Sequence, residues 1–224
     1  MKIIVFGASG MIGQGVLREC LRAADVDEVV VVGRTPLGVT HDKLREIVHA
    51  DFTDFTPIEA QLACDACLFC LGVSSGGMSE ADYTRITYEF TLAAARSVLR
   101  VAPQSTFIYV SGAGSDSTEQ RRGMWARVKG KTENALLAMP FKAVYMFRPG
   151  GIQPMYGAKS KTKSYRIAYT VAWPLLPVLK AVGAITTTER MGLAMLNAVR
   201  RGAPEKLLGT KAINQLARSQ ATPP

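Results

Sequence analysis

The stretch IIVFGASGMIGQGVL, residues 3–17, decides how the rest of the chain is read. Lys2 to Phe6 is an apolar run of strand length, and continuous apolarity is what a strand covered on both faces requires. Gly7, Gly10 and Gly13 follow in a GxxGxxG pattern, and a helix is expected from Ile12 to Ala23. Glycines at such a junction let an anion approach bare backbone. The N–H groups at a helix N-terminus hold a pyrophosphate, and a side chain at the glycines would push it away. A glycine triplet alone is a weak signal, but this one has a strand before it and a helix after it, where the mechanism needs it.

Further strand-length apolar runs recur at 28–33 (EVVVVG), 46–50 (EIVHA), 66–72 (ACLFCLG), 106–112 (TFIYVSG) and 143–150 (AVYMFRPG). Helical patterns cover Glu80 to Arg100, with Ser79 as N-cap, and Arg121 to Ala138. Strands alternating with helices imply βαβ units and a parallel, doubly wound α/β sheet. At 224 residues one such domain is expected, with residues 150–224 as a small helical appendage of it.

The appendage opens on a loop rich in Gly, Pro, Ser and Lys. It continues as IAYTVAWPLLPVLKAVGAI, 167–185, which carries a single charge, Lys180. Pro174 and Pro177 favour a packed, kinked helix over a membrane span, with a helix lying on a membrane surface as the alternative. A further helix is expected over 186–201 and frayed ends over SQATPP. The N-terminal apolar run is too short for a secretory segment, which points to a cytoplasmic protein.

The net charge of +9 is unevenly placed: residues 1–120 hold nine Lys and Arg against fifteen Asp and Glu, and residues 121–224 hold eighteen against three. The basic half suits an anionic partner such as a cofactor phosphate or an acidic substrate, or is a solvated face. No run of five basic residues and no nucleic-acid module occurs, so nucleic acid is not an expected partner. Cys64, Cys67 and Cys70 have a spacing that three cluster ligands would use. On a strand, however, Cys67 would face one way and the other two the opposite way, so no metal is expected and the thiols read as small buried hydrophobes, with Cys20 alone on a helix.

Where a dinucleotide's ribose is usually gripped by an acidic residue, at the end of the second strand, VVVVGRTP offers Gly33 and Arg34. A guanidinium there clamps a 2′-phosphate, so NADP is expected in preference to NAD. In MWARVKG, 124–130, Trp125 and Lys129 share one helix face.

These motifs together resemble the extended or atypical short-chain dehydrogenases/reductases, similar to the NAD-dependent epimerase/dehydratase and Tat-interacting-protein-like groups. The resemblance covers nearly the whole chain. It implies a Rossmann fold whose cofactor site takes in Gly7, Ser9, Gly10, Met11, Ile12 and Gly13 in the first turn. HADFTDF places Asp51 and Phe52 beside adenine, and Leu71, Gly72 and Val73 form the loop passing the ribose. FRPGGI places Pro149, Gly150 and Ile152 at the nicotinamide end. YVSGAGS supplies the active-site Ser111, with Ser115 as a second choice, and Lys129 matches the lysine that holds the nicotinamide ribose.

In that family a Tyr four residues before the Lys transfers the substrate proton. Trp125 stands there instead, and an indole N–H is a donor only. Tyr88, Tyr156 or Tyr165 reaching in from elsewhere, Trp125 stacking on the substrate, or binding without catalysis remain open at this level. The expected function is an NADP-dependent oxidoreductase on a small carbonyl or alcohol. A non-catalytic dinucleotide sensor and a sugar-nucleotide epimerase are the alternatives, and a homodimer is a further expectation.

Overall fold

The structure, a computed structural model, describes residues 1–158 and 184–219. Seven strands form one sheet: β1 (Lys2–Phe6), β2 (Glu28–Gly33), β3 (Leu44–Val48), β4 (Ala66–Phe69), β5 (Thr106–Val110), β6 (Ala143–Arg148) and β9 (Leu207–Gly209). Their order is β3-β2-β1-β4-β5-β6-β9 and every pairing is parallel. The order reverses between β1 and β4. In an open α/β sheet the crevice at such a reversal, beyond the carboxyl ends of the strands, is where ligands bind.

Helices cover both faces. In chain order they are α1 (Met11–Arg22), α2 (Glu80–Thr84), α3 (Phe90–Val101), α4 (Met124–Leu137), α5 (Thr188–Arg201) and α6 (Thr210–Arg218). Ile3 and Val5 of β1 point into a core shared with α1, α5 and α6, while Ile4 and Phe6 point into a second core shared with α3 and α4. This explains why the strands read as unbroken apolar runs: each parity of side chain has its own buried layer. α1 and α5 approach closely because Gly15 and Gly192 face each other's helix; a Cβ on Gly15 would lie 2.5 Å from Thr188 Cβ.

The structure moves several predicted boundaries. β3 starts at Leu44, two residues ahead of the apolar run that suggested it. The helix expected from Arg121 begins at Met124, because the Asp116 carboxylate binds the N–H groups of Gln120 and Arg121 and holds that stretch as a loop. The helix expected over Glu80–Arg100 is present and capped by Ser79, whose Oγ accepts from Asp82 N at 3.1 Å, but a π-helical turn at Arg85–Glu89 separates α2 from α3.

The helix expected from residue 186 begins at Thr188. The β-branched run Ile185–Thr187 is instead a short strand, β8, paired in parallel with β7 (Gly151–Gln153), and Thr187 caps α5 by accepting from Arg190 N. β9 and α6 are the parts of the sheet and helix layers that the sequence did not announce.

Cys64 precedes β4 and packs on the same core as Cys67, whereas Cys70 packs on the other, so the expected pairing of Cys64 with Cys70 is corrected. Burial pushes the Cys20 and Cys64 thiols up to about 12. Residues 167–183 lie outside the described residues. Among those described, no helix is long and apolar enough to cross a membrane.

Candidate functional site

The first turn is shaped by close approach. Gly7 adopts φ +78°, and a Cβ there would lie 2.5 Å from the backbone N of Leu71, so β1 exits directly against the loop after β4. A Cβ on Gly13 would lie 2.1 Å from the Gly7 carbonyl oxygen, which is how tightly α1 sits on the turn. Gly10 differs: its Cβ would meet only the Gly7 oxygen, at 3.3 Å, and otherwise project into open space at the N-cap of α1. Among the described residues the N-cap, Gly10, offers no side-chain cap, and no acidic residue occupies the first turn. The N–H groups of Met11, Ile12 and Gly13 are therefore left for an anion, the arrangement a pyrophosphate requires.

At the end of β2, Arg34 is exposed and its side chain makes no hydrogen bond or ion pair among the described residues. No carboxylate holds it away from the crevice. Asp51 is exposed and turned onto its own loop, its Oδ1 accepting from Thr53 N at 2.8 Å. The Phe52 ring is buried between Phe6 and Phe90, with centroids 6.3 and 6.0 Å away, so it supports the crevice floor from within the core. Leu71, Gly72 and Val73 follow β4 as an open loop, Val73 well exposed.

Past β6, Gly150 N donates to Thr210 Oγ1 at 2.9 Å, and Pro149 O accepts from Ala113 N at 2.9 Å. The backbone of this turn is thus already committed to α6 and to the β5 loop, which makes it a brace at that end of the crevice. Ile152 is buried in β7.

Lys129, Trp125 and Ser111 converge around the end of β5. α4 lies on the loop after β5 through Gly130, where a Cβ would be 1.7 Å from the Asp116 carbonyl oxygen. That contact fixes the face α4 turns to the crevice. Lys129 Nζ donates to Tyr109 Oη and to the Val110 carbonyl, both at 3.2 Å. Burial lowers its pKa from 10.5 to about 8, opposed by the nearby Glu133 carboxylate. Ser111 and Ser115 share a hydrogen bond of 2.7 Å between hydroxyls, and Ser115 donates on to the Gly112 carbonyl at 2.8 Å. The two serines that the sequence offered as alternatives are one unit. Trp125, 36% exposed, lays its ring over the same loop, with Cη2 3.1 Å from where a Gly114 Cβ would be.

A polar network underlies this cluster. Glu133 is fully buried and paired with Arg148 in a two-pronged ion pair, and Arg148 also donates to Ser117 Oγ at 2.7 Å. The Asp116 carboxylate accepts from Thr118 and from the backbone of Gln120 and Arg121, which hold it well below the usual carboxylate range.

The tyrosines considered from sequence do not meet Lys129. Tyr88 lies under the Lys131 ammonium, 4.8 Å from its ring centroid, and Tyr156 donates to Glu189 while Arg18 stacks on it. Tyr165 is outside the described residues. The phenol that does meet Lys129 is Tyr109, which sequence reasoning missed. Nothing in its spacing marks it out, because Tyr109 reads as one more buried residue of β5. Tyr109 is 1% exposed, and burial drives its hydroxyl pKa far up.

Comparison with known proteins gives the family. The model of the NAD dependent epimerase/dehydratase family matches residues 3–121. Protein FMP52-2, mitochondrial, of Scheffersomyces stipitis is 25% identical over 96% of both chains, and protein HTATIP2 of Rattus norvegicus is 23% identical over 66% of this chain and 62% of its own. Among solved structures, the Bordetella bronchiseptica enzyme WbmF in complex with NAD+ superposes with a TM-score of 0.68 at 14% identity, over 96% of this chain and 76% of that one. The expectation of a cytoplasmic protein is overturned here, because FMP52-2 and the FMP52 proteins of Debaryomyces hansenii and Saccharomyces cerevisiae are named as mitochondrial. The seven-stranded parallel sheet and the glycine turn accord with the family match, and the chain belongs to the NAD dependent epimerase/dehydratase family.

Proposed function

We propose that the chain is an NADP-linked oxidoreductase acting on a small carbonyl or alcohol, working in association with mitochondria as the names of its relatives suggest. The observation that carries this reading is the joint geometry of an uncapped, glycine-lined α1 N-terminus and a Lys129–Ser111 pair on the same carboxyl edge of the sheet. When bound, the cofactor supplies or accepts a hydride at C4 of its nicotinamide. The amides of Met11, Ile12 and Gly13 hold the pyrophosphate, and Arg34 takes the 2′-phosphate.

Lys129 reaches the nicotinamide ribose by leaving Tyr109. Ser111 Oγ now donates into Ser115 and turns that proton to the substrate oxygen, exchanging one hydrogen bond for another while Ser115 stays anchored on Gly112. Trp125 covers the substrate plane. A carbonyl reduced this way would gain a hydride at carbon and a proton at oxygen; with the nearest phenol sealed in the core and Ser115 donating to Gly112, the proton would come directly from solvent while Ser111 polarises the oxygen by its hydrogen bond.

A second reading, a dinucleotide-binding protein without turnover, is favoured by one observation: neither Trp125 nor the buried Tyr109 offers an accessible phenol. Oxidation of NADPH against a panel of carbonyl compounds separates the two. Turnover that falls at least tenfold in Lys129→Ala supports the oxidoreductase. Cofactor binding with no turnover across the panel supports the binder.

A further inference from the structure

The reading above gives no task to one charged group at the rim of this site, Arg121. Two side chains stand over Gly114: the Trp125 ring and the guanidinium of Arg121, whose Nη1 is 3.9 Å from the position of a Gly114 Cβ. Gly114 lies between Ser111 and Ser115, so both flank the hydroxyl pair. Arg121 is exposed, and its side chain makes no hydrogen bond or ion pair with any described residue.

The acids around it are engaged elsewhere. Asp116 is saturated by backbone and Thr118 donors, Glu80 is held by Arg127, Glu119 by Asn134 and Glu133 by Arg148. Lys129 adds a second cation beneath the same loop. A planar ring, a forked cation and a hydroxyl pair within one short loop match a flat molecule bearing a carboxylate next to the oxygen that the serines would hold.

We propose that Arg121 and Trp125 form a subsite for the carboxylate and planar face of an acidic carbonyl substrate, of the aryl 2-oxo-acid class. This rests on the oxidoreductase reading and names its substrate class. It also gives the missing Tyr a rationale, because Trp125 contributes substrate stacking from the position where a proton donor would stand.

Calorimetric titration of the NADP+-loaded protein with phenylglyoxylate and with its neutral methyl ester tests it. The acid binds about tenfold or more tightly than the ester, as expected for one charge-assisted pair at a screened site. The preference collapses in Arg121→Gln, survives in part in Arg121→Lys and is unchanged in Arg122→Gln. Equal binding of acid and ester, binding of neither, or an acid preference that persists in Arg121→Gln overturns the subsite. Loading reports separately on the underlying reading: a protein that takes up no dinucleotide refutes that reading before any acid is added, whereas normal loading without acid preference refutes the subsite alone.

Discussion

Lys129 Nζ sits 3.2 Å from the hydroxyl of Tyr109, a residue on the strand behind it, and Tyr109 is almost fully buried. The half-buried ammonium is therefore packed against a neutral phenol, a carbonyl and an aromatic face, with the Glu133 carboxylate as its partly compensating charge. Folding lowers its pKa from 10.5 to about 8, so between those values the unfolded chain binds the proton more fully than the native one. Stability contributed by this site accordingly rises with pH across that window and is lowest below it, where the charged form is buried. Chemical denaturation of the wild type and Lys129→Met from pH 7 to 10.5 checks this. The variant's stability advantage shrinks as pH climbs; an advantage that stays constant or grows contradicts the buried-ammonium description.

Glu133 and Arg148 join α4 to the end of β6. Glu133→Gln leaves the guanidinium facing a neutral amide inside the protein, and breaking a buried pair from one side costs about 3 kcal/mol or more. Urea unfolding measures it. A loss below about 1 kcal/mol would place this pair with ordinary surface ion pairs.

Two glycines of the first turn separate folding from binding. Gly13→Ala forces a methyl group against the Gly7 carbonyl, so thermal unfolding shows a large loss of stability or no folded protein. Gly10→Ala keeps the fold, with a melting temperature within a few degrees of wild type, and weakens dinucleotide binding by about tenfold or more, because its methyl occupies the space above the α1 amides. Full affinity in Gly10→Ala would mean that the pyrophosphate sits elsewhere.

Trp125→Tyr restores a phenol one helical turn before Lys129, on the face that carries the ammonium. Steady-state assay of NADPH oxidation with aldehydes is expected to show a rise in kcat of about a hundredfold, the lower end of the range for a positioned general acid. A Tyr variant no faster than wild type would show that proton supply does not limit turnover.

Much of the architecture was legible because it follows from periodicity. The apolar runs beginning at 2, 28, 106 and 143 hold strands buried on both faces, with β5 stopping at Val110 and β6 at Arg148, where Ser-Gly and Pro-Gly begin the turns. β9 escaped because three residues of strand, Leu207–Gly209, fall below the length at which periodicity is defined; their place is set by pairing with Met146–Arg148. The start of α4 escaped because Asp116, five residues away in sequence from Arg121, outbids helix formation with its own hydrogen bonds. In the site, the glycines and Lys129 could be read from spacing. Tyr109 and Arg121 could not, since what matters about them is a neighbour brought near by the crossing of α4 over the β5 loop at Gly130.

The central claim is that the first turn binds an adenine dinucleotide and that Arg34 selects its phosphorylated form. Calorimetric titration of the purified protein with NADPH and NADH, beside Arg34→Ala, tests it most directly. The account predicts one site per chain, NADPH bound at least about tenfold tighter than NADH, in keeping with a charge-assisted phosphate contact, and near-equal affinities in the variant. Saturation by neither nucleotide would contradict the site itself, and a wild type that binds both equally would contradict the role of Arg34.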